Sequence, residues 1–342
     1  MRLAAFVVLP HLLQRQDVGI QLAQRREDRG QSLLPRPVAA PQVPARDANA
    51  GFDERPVARV EAEHRQYGTG VIRRLKKNLR LLDPTAAPPE SAEIERDGFV
   101  VLSGVFTDDD VAQLRGEIDG VFERIPPERA REDKAEFRYE MLNRGPACHA
   151  AVMHSRILAT VEPLLGEDCH VIANTAWRNP PDFGGGRWHC DAGPHVPRPA
   201  DVPWDERIPY PVFAIAAHVM LQDCARHDGP TAVVPGSHRS GRVAPWDAGE
   251  DLTYDGRPPV VMEVGAGDVV LFSSDVWHRG LPALPGGRGR YFLQVHYGRR
   301  DIAQRLVPTA QVNQVSDEAI ARADTERART LIGLHDPFFY DA

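Results

Sequence analysis

The chain has 342 residues, 42% of them hydrophobic and 26% charged, which is enough apolar material for a substantial core and excludes a disordered tail or a small disulfide scaffold. A net charge of −7 argues against nucleic acid or an anionic membrane as the main partner and in favour of a small molecule. The four cysteines, Cys148, Cys169, Cys190 and Cys224, contain no C-x-x-C pair, which argues against a cysteine zinc site and fits a reducing, cytoplasmic setting.

Residues 1–85 hold 15 Lys and Arg against 9 Asp and Glu, with scattered prolines and no sustained apolar period. They read as a poorly structured Arg/Pro-rich leader, which a start codon assigned too far upstream would also produce. The run from Leu3 to Leu9 is too short for a secretory signal and meets Pro10 without a small-x-small cleavage pattern. Residues 86–342 read as one domain. Gly98 to Leu102 forms an apolar strand. Thr107 then supplies an N-cap and Asp108 to Asp110 an acidic first turn. Val111, Leu114, Ile118, Val121, Phe122 and Ile125 continue at helical spacing up to Pro126-Pro127. A second helix is predicted over 149–165, ending at Gly166. Strands follow at 170–177, 187–191, 212–222, 231–234, 260–264, 268–273 and 290–297, and one C-terminal helix runs from the cap Ser316 to Gly333. The series describes a mainly β domain with flanking helices, an antiparallel jelly-roll of the cupin-like, double-stranded β-helix kind.

The chemistry sits in Trp188-His189-Cys190-Asp191 and Trp277-His278. On a strand His189 and Asp191 share a face while Cys190 points away, so the thiol is not a ligand. An imidazole and a carboxylate two residues apart, joined by a second imidazole from a distant strand, make a 2-His-1-carboxylate facial triad for ferrous iron. An H-x-D pair alone is common by chance; its neighbours make it specific. They are Asp228-Gly229-Pro230, Pro235-Gly236-Ser237-His238, Gly267-Asp268 with Phe272, and Arg290.

In these motifs the chain resembles the phytanoyl-CoA dioxygenase-like branch of the Fe(II)/2-oxoglutarate oxygenases, over about residues 90–300. The resemblance implies iron held by His189, Asp191 and His278, with 2-oxoglutarate and O2 as cosubstrates and Arg290 on the distal carboxylate. It also implies a reaction that hydroxylates an unactivated C–H of a small organic molecule and releases succinate and CO2. Asp191 favours oxygen transfer over chlorination, because related halogenases carry a small residue at that ligand position. Desaturation, ring formation and epimerisation stay open. A composition rich in Arg, Ala, Gly and Pro with three lysines fits a role in secondary metabolism.

Arg290 also stands on its own pattern. Period two places it with Gln294 and His296, a polar face that makes sense inside a ligand-lined barrel, and its strand is expected beside the one bearing His278. Arg288 is its rival at the tip of the same turn. His218 is a candidate for the cosubstrate pocket or a satisfied core histidine. Asn174 is a candidate hydrogen-bond donor to cosubstrate or substrate, or a turn-flanking amide. His195 reads as a loop residue near the site mouth, His296 as a partner of the ligands, and Ser237 with His238 as structural. Two other readings remain: a metal-binding cupin-like isomerase or ligand-binding barrel without redox chemistry, and an anchoring leader on an inert barrel. Removing residues 1–85 is expected to leave enzymatic turnover intact, checked by comparing rates of the full and shortened chains; loss of turnover with the fold preserved would assign the leader a function.

Overall fold

The computed structural model describes residues 88–127, 134–191, 193–306 and 315–334. The leader and the extreme C-terminus lie outside these residues. Helix α1 (Pro89–Asp97) was not apparent from apolar spacing, yet its boundaries are chemically marked: a proline opens it and Gly98, at φ +89°, closes it. It leads into β1 (Phe99–Leu102) and α2 (Asp108–Arg124). Thr107 caps α2 as the sequence predicts, and Asp110 completes a reciprocal pair, each side chain accepting from the other's backbone N–H.

The helix expected over 149–165 is instead two, α4 (Pro146–Val152) and α5 (Ser155–Leu165), after a short α3 (Met141–Arg144). Extended backbone at His154 breaks them and lets its ring pack 4.8 Å from that of Phe106. The C-terminal helix is likewise two, α6 (Asp317–Arg322) and α7 (Glu326–Leu331), because Thr325 supplies a second N-cap behind Ser316.

Between these helices lie β2 (Glu136–Tyr139), β3 (His170–Arg178), β4 (Ala214–Met220), β5 (Thr231–Val233), β6 (Val260–Val261), β7 (Val269–Ser273), β8 (His278–Gly280) and β9 (Tyr291–Gly298). They form a six-stranded sheet, β1-β7-β4-β9-β3-β2, and a three-stranded sheet, β6-β5-β8. All pairings are antiparallel. The predicted strand at 187–191 is reduced to a single bridge at His189, and the one at 260–264 to two residues.

One expectation is overturned. The strands following Arg290 and bearing His278 are not neighbours: β9 lies between β4 and β3 in the large sheet, whereas β8 pairs with β5 in the small one. Residues 282–289 carry the chain from one sheet to the other, so the two groups approach across the barrel rather than along a ladder.

Register decides what faces the barrel. His218 lies opposite both Gln294 and Val270, so the three central strands keep their parity. Ile215, Ala217, Val219, Leu271, Leu293, Val295 and Tyr297 turn outward to join Val111, Leu114, Ile118, Val161 and Leu164 of the helices in the main core. Ala216, His218, Phe272, Phe292, Gln294 and His296 turn inward. The helices thereby clamp the large sheet from outside and leave its inner face for ligands.

His238 locks α1 to the small-sheet side. Its Nε2–H donates to the Glu95 carbonyl at 2.9 Å, while the bare Nδ1 is buried without a partner. Burial pushes its pKa from 6.5 down to about 4. The unfolded chain therefore binds more protons between those values, so stability should be complete above pH 6.5 and fall as pH drops toward 4. His238→Gln should flatten that part of the stability curve, as read from chemical denaturation at a series of pH values; an unchanged slope would remove His238 from the acid response.

Candidate active site

Two backbone hydrogen bonds place the histidines. His189 N donates to the His278 carbonyl at 3.0 Å and His278 N to the His189 carbonyl at 2.8 Å. Residues that exchange both bonds in an antiparallel bridge lie directly opposite each other with side chains on one face. The two rings consequently sit with centroids 4.3 Å apart. Asp191 N then donates to the Ser274 carbonyl at 2.9 Å, bringing the carboxylate to the same point.

The donor atoms of His189, Asp191 and His278 all lie within 4.8 Å of one another. Nε2 of His278 is 3.3 Å and that of His189 3.8 Å from Asp191 Oδ1. Each imidazole donates its Nδ1–H to a carbonyl two residues earlier, Arg187 for His189 and Val276 for His278, both at 2.9 Å. A carbonyl can only accept, so each ring, when neutral, carries its free lone pair on Nε2, toward the shared point. His296 Nε2–H donates to Asp191 Oδ2 at 2.9 Å and occupies the carboxylate's second oxygen. The set fits a hard-to-borderline divalent cation with one face protein-bound and the other open.

Electrostatics agree with that reading. Burial pushes the Asp191 carboxyl up, but the His278 charge and hydrogen bonds from His278 and His296 more than offset it and hold it well below the usual carboxylate range. Burial lowers His278, yet the adjacent Asp191 carboxylate leaves it above 6.5. Burial and the neighbouring His278 lower His189. A bound cation would take the place of the proton that Asp191 draws onto His278.

The three groups line a cavity of about 840 Å³ that also holds His195, His218, Gln294, His296 and Arg290. Arg290, 7% exposed, donates from Nη1 to Thr231 Oγ1 at 2.7 Å, while its Nε–H is buried without a partner. Among the described residues no carboxylate lies within salt-bridge distance of it, and burial lowers its pKa to about 10. Gly280 makes room for it, since a Cβ there would stand 2.3 Å from Arg290 Nη2. Arg288, by contrast, faces away toward Asp228, at 3.5 Å, and does not line this cavity.

His218 does line it, accepting from Gln294 Nε2 at 3.2 Å, and its pKa is pushed well below 6.5 by burial and by Arg290. Asn174 is set apart. Its amide donates to the Gln294 carbonyl at 2.9 Å, and the alternation of β3 puts it with Ala176 on the helix-covered face, while Ala173 and Trp177 meet the cavity. The bulge between Val171 and Ala173 sets that parity, which the sequence pattern could not reveal. Sequence reasoning also missed Asp275, which is 3% exposed and accepts from His195 Nδ1 at 2.5 Å and from the Tyr210 hydroxyl at 2.8 Å. Phe213 stacks on the His195 ring at 4.9 Å, so this loop histidine is fixed at the cavity wall.

A jelly-roll holding two imidazoles, a carboxylate and a buried arginine around one cavity has the donor set of a divalent-metal site beside an anion site. Residues 94–287 match the phytanoyl-CoA dioxygenase (PhyH) family, and the chain belongs to that family. It is 29% identical over 158 residues to ectoine dioxygenase of Bordetella bronchiseptica (strain ATCC BAA-588 / NCTC 13252 / RB50), covering 42% of this chain and 47% of that enzyme. The match thus spans about half the length of that relative. Among solved structures, the epimerase SnoN in complex with Fe3+, alpha ketoglutarate and nogalamycin RO is similar at TM-score 0.51 and 21% identity, over 71% of this chain and 91% of SnoN. HygX from Streptomyces hygroscopicus, with nickel, 2-oxoglutarate and hygromycin B bound, is similar at TM-score 0.50 and 17% identity, over 63% and 88% of the two chains. These likenesses establish the shared jelly-roll fold. Among the described residues no helix is long and apolar enough to cross a membrane.

His296→Ala should leave the fold intact but free the second oxygen of Asp191. Cobalt(II) affinity, measured by titration, is then expected to fall about 10- to 100-fold. An unchanged affinity would show that His296 does not support the ligand set.

Proposed function

We propose that this chain is an Fe(II)- and 2-oxoglutarate-dependent dioxygenase that hydroxylates a small organic molecule, with His189, Asp191 and His278 as the iron ligands. The observation that carries the reading is the pairing, on one cavity, of three convergent donor groups with a buried guanidinium that has no acidic partner among the described residues. One arrangement calls for a divalent cation and the other for a carboxylate, and family membership supports the same cosubstrate pair.

Ferrous iron held there would supply oxygen activation coupled to decarboxylation of 2-oxoglutarate, with one oxygen atom passing to the substrate and the other to succinate. The protein's own groups do the positioning. Gly280, which makes room for Arg290, is two residues along β8 from His278, a separation of roughly 7 Å at strand spacing, about the length of a five-carbon dicarboxylate. Arg290 would hold the far carboxylate as a planar fork, oriented by Thr231 and by the Phe292 ring, whose centroid is 5.3 Å away. Phe183 and Phe292 stand beside Arg290 and, with Trp177, give this part of the cavity an apolar wall. His195 and His296 stand toward the opposite end of the sheet, the region left for the primary substrate. The free cysteines Cys148, Cys169, Cys190 and Cys224 fit a reducing, cytoplasmic setting for such an enzyme.

The direct test is anaerobic loading with Fe(II) followed by oxygen-uptake measurement with 2-oxoglutarate and a substrate panel, scoring succinate and products that gain one oxygen atom. Arg290→Ala should raise the 2-oxoglutarate KM by at least about 100-fold, since it removes charge-assisted hydrogen bonds of roughly 1.5–3 kcal/mol each. Turnover that needs no 2-oxoglutarate, or that survives this substitution unchanged, would reject the proposal.

A further inference from the structure

The outer face of the small sheet carries a second hollow, separate from the main cavity. Register builds it. Ala232 on β5 lies opposite Val261 on β6 and Arg279 on β8, and the bridge between His189 and His278 sets Trp188 beyond Arg279. The alanine methyl leaves a gap in this cross-strand row, enclosing about 230 Å³ together with Arg226 from the 3₁₀ turn Arg226–Asp228 and Glu250 from the loop above.

Two features mark the hollow as more than a packing gap. Arg226 and Arg279 both line it, and among the described residues neither guanidinium has a carboxylate within 4.0 Å. The Arg279 guanidinium also lies 5.5 Å over the Trp188 ring, which restrains it before any ligand arrives.

We infer that this hollow is a binding site for a small oxyanion of the phosphate class, held between the Arg226 and Arg279 guanidiniums with Trp188 as its wall. Planar guanidinium forks match the geometry of tetrahedral oxyanions; Glu250 is the carboxylate among the lining residues, and the nearby Glu263 Oε2 accepts from the Arg226 backbone N–H at 2.9 Å. The site lies behind the metal centre. Trp188 and Arg279 are the chain neighbours of His189 and His278, and alternate side chains turn to opposite faces, so an anion here would tie together the two segments whose other face holds the imidazoles. Its role would be to stiffen that wall, independently of the reaction performed in the main cavity.

The test uses the full chain and inorganic phosphate, with sodium chloride at matched ionic strength to remove general salt effects. At roughly ten times its dissociation constant, phosphate should raise the unfolding midpoint by a few degrees, and the rise should saturate. Arg226→Gln and Arg279→Gln should each weaken binding at least about tenfold, measured in parallel by phosphorus NMR titration on protein shown to be folded by circular dichroism. Glu250→Gln should tighten it a few-fold by removing a like charge. A non-saturating rise, or one of equal size in all three variants, would overturn the assignment.

Discussion

The reciprocal hydrogen bonds between the backbones of His189 and His278 are the constraint on which the site rests. Neither residue sits in a long strand: His189 is an isolated bridge and His278 opens a strand of three residues. Two hydrogen bonds nevertheless determine which way both imidazoles turn, and the local carbonyls of Arg187 and Val276 determine which ring nitrogen is free. The orientation and tautomer of the two imidazoles are therefore set by main chain, without dependence on other side chains.

Charge around that point is deliberately unbalanced. The Asp191 carboxylate is held ionised by His278 and His296, while Arg290 is buried away from any acidic side chain among the described residues. Desolvated charges of this kind are unfavourable unless a ligand completes them. The cavity accordingly carries two complementary demands at separate places, one for a cation and one for an anion. A chelating dicarboxylate and a divalent ion meet both together.

The large sheet supplies rigidity. Its outward residues are packed into the helices, so β4, β7 and β9 are clamped, and Phe272 on the inner face supports both His278, at 4.6 Å, and His218, at 5.0 Å. The groups that contact the small sheet are delivered by turns instead. Asp228 illustrates this: fully buried, it accepts from the backbones of Ala225 and Arg288 and so joins the turn before β5 to the loop that crosses toward Arg290. The aspartate of the sequence motif thus acts on the shape of the loop, through the Ala225 and Arg288 backbones.

Much of this was legible in the chain itself. The H-x-D pair, the distal histidine, the arginine and the cap at Thr107 depend on local spacing and on side-chain chemistry, both of which survive without tertiary context. The breaks at His154 and Thr325 were not legible, because apolar spacing continues across them and only packing decides where the chain turns. The orientation of Asn174 depends on a bulge, and the separation of β8 from β9 on which sheet each strand joins; both are outcomes of long-range pairing. The inward parity of β7 was equally hidden, since its residues are buried on both faces and so show no polar alternation. Sequence alone therefore determined which functional groups are present and how they are spaced locally, while tertiary structure decided which of them meet, because strand register and sheet membership are settled by contacts between residues far apart in the chain.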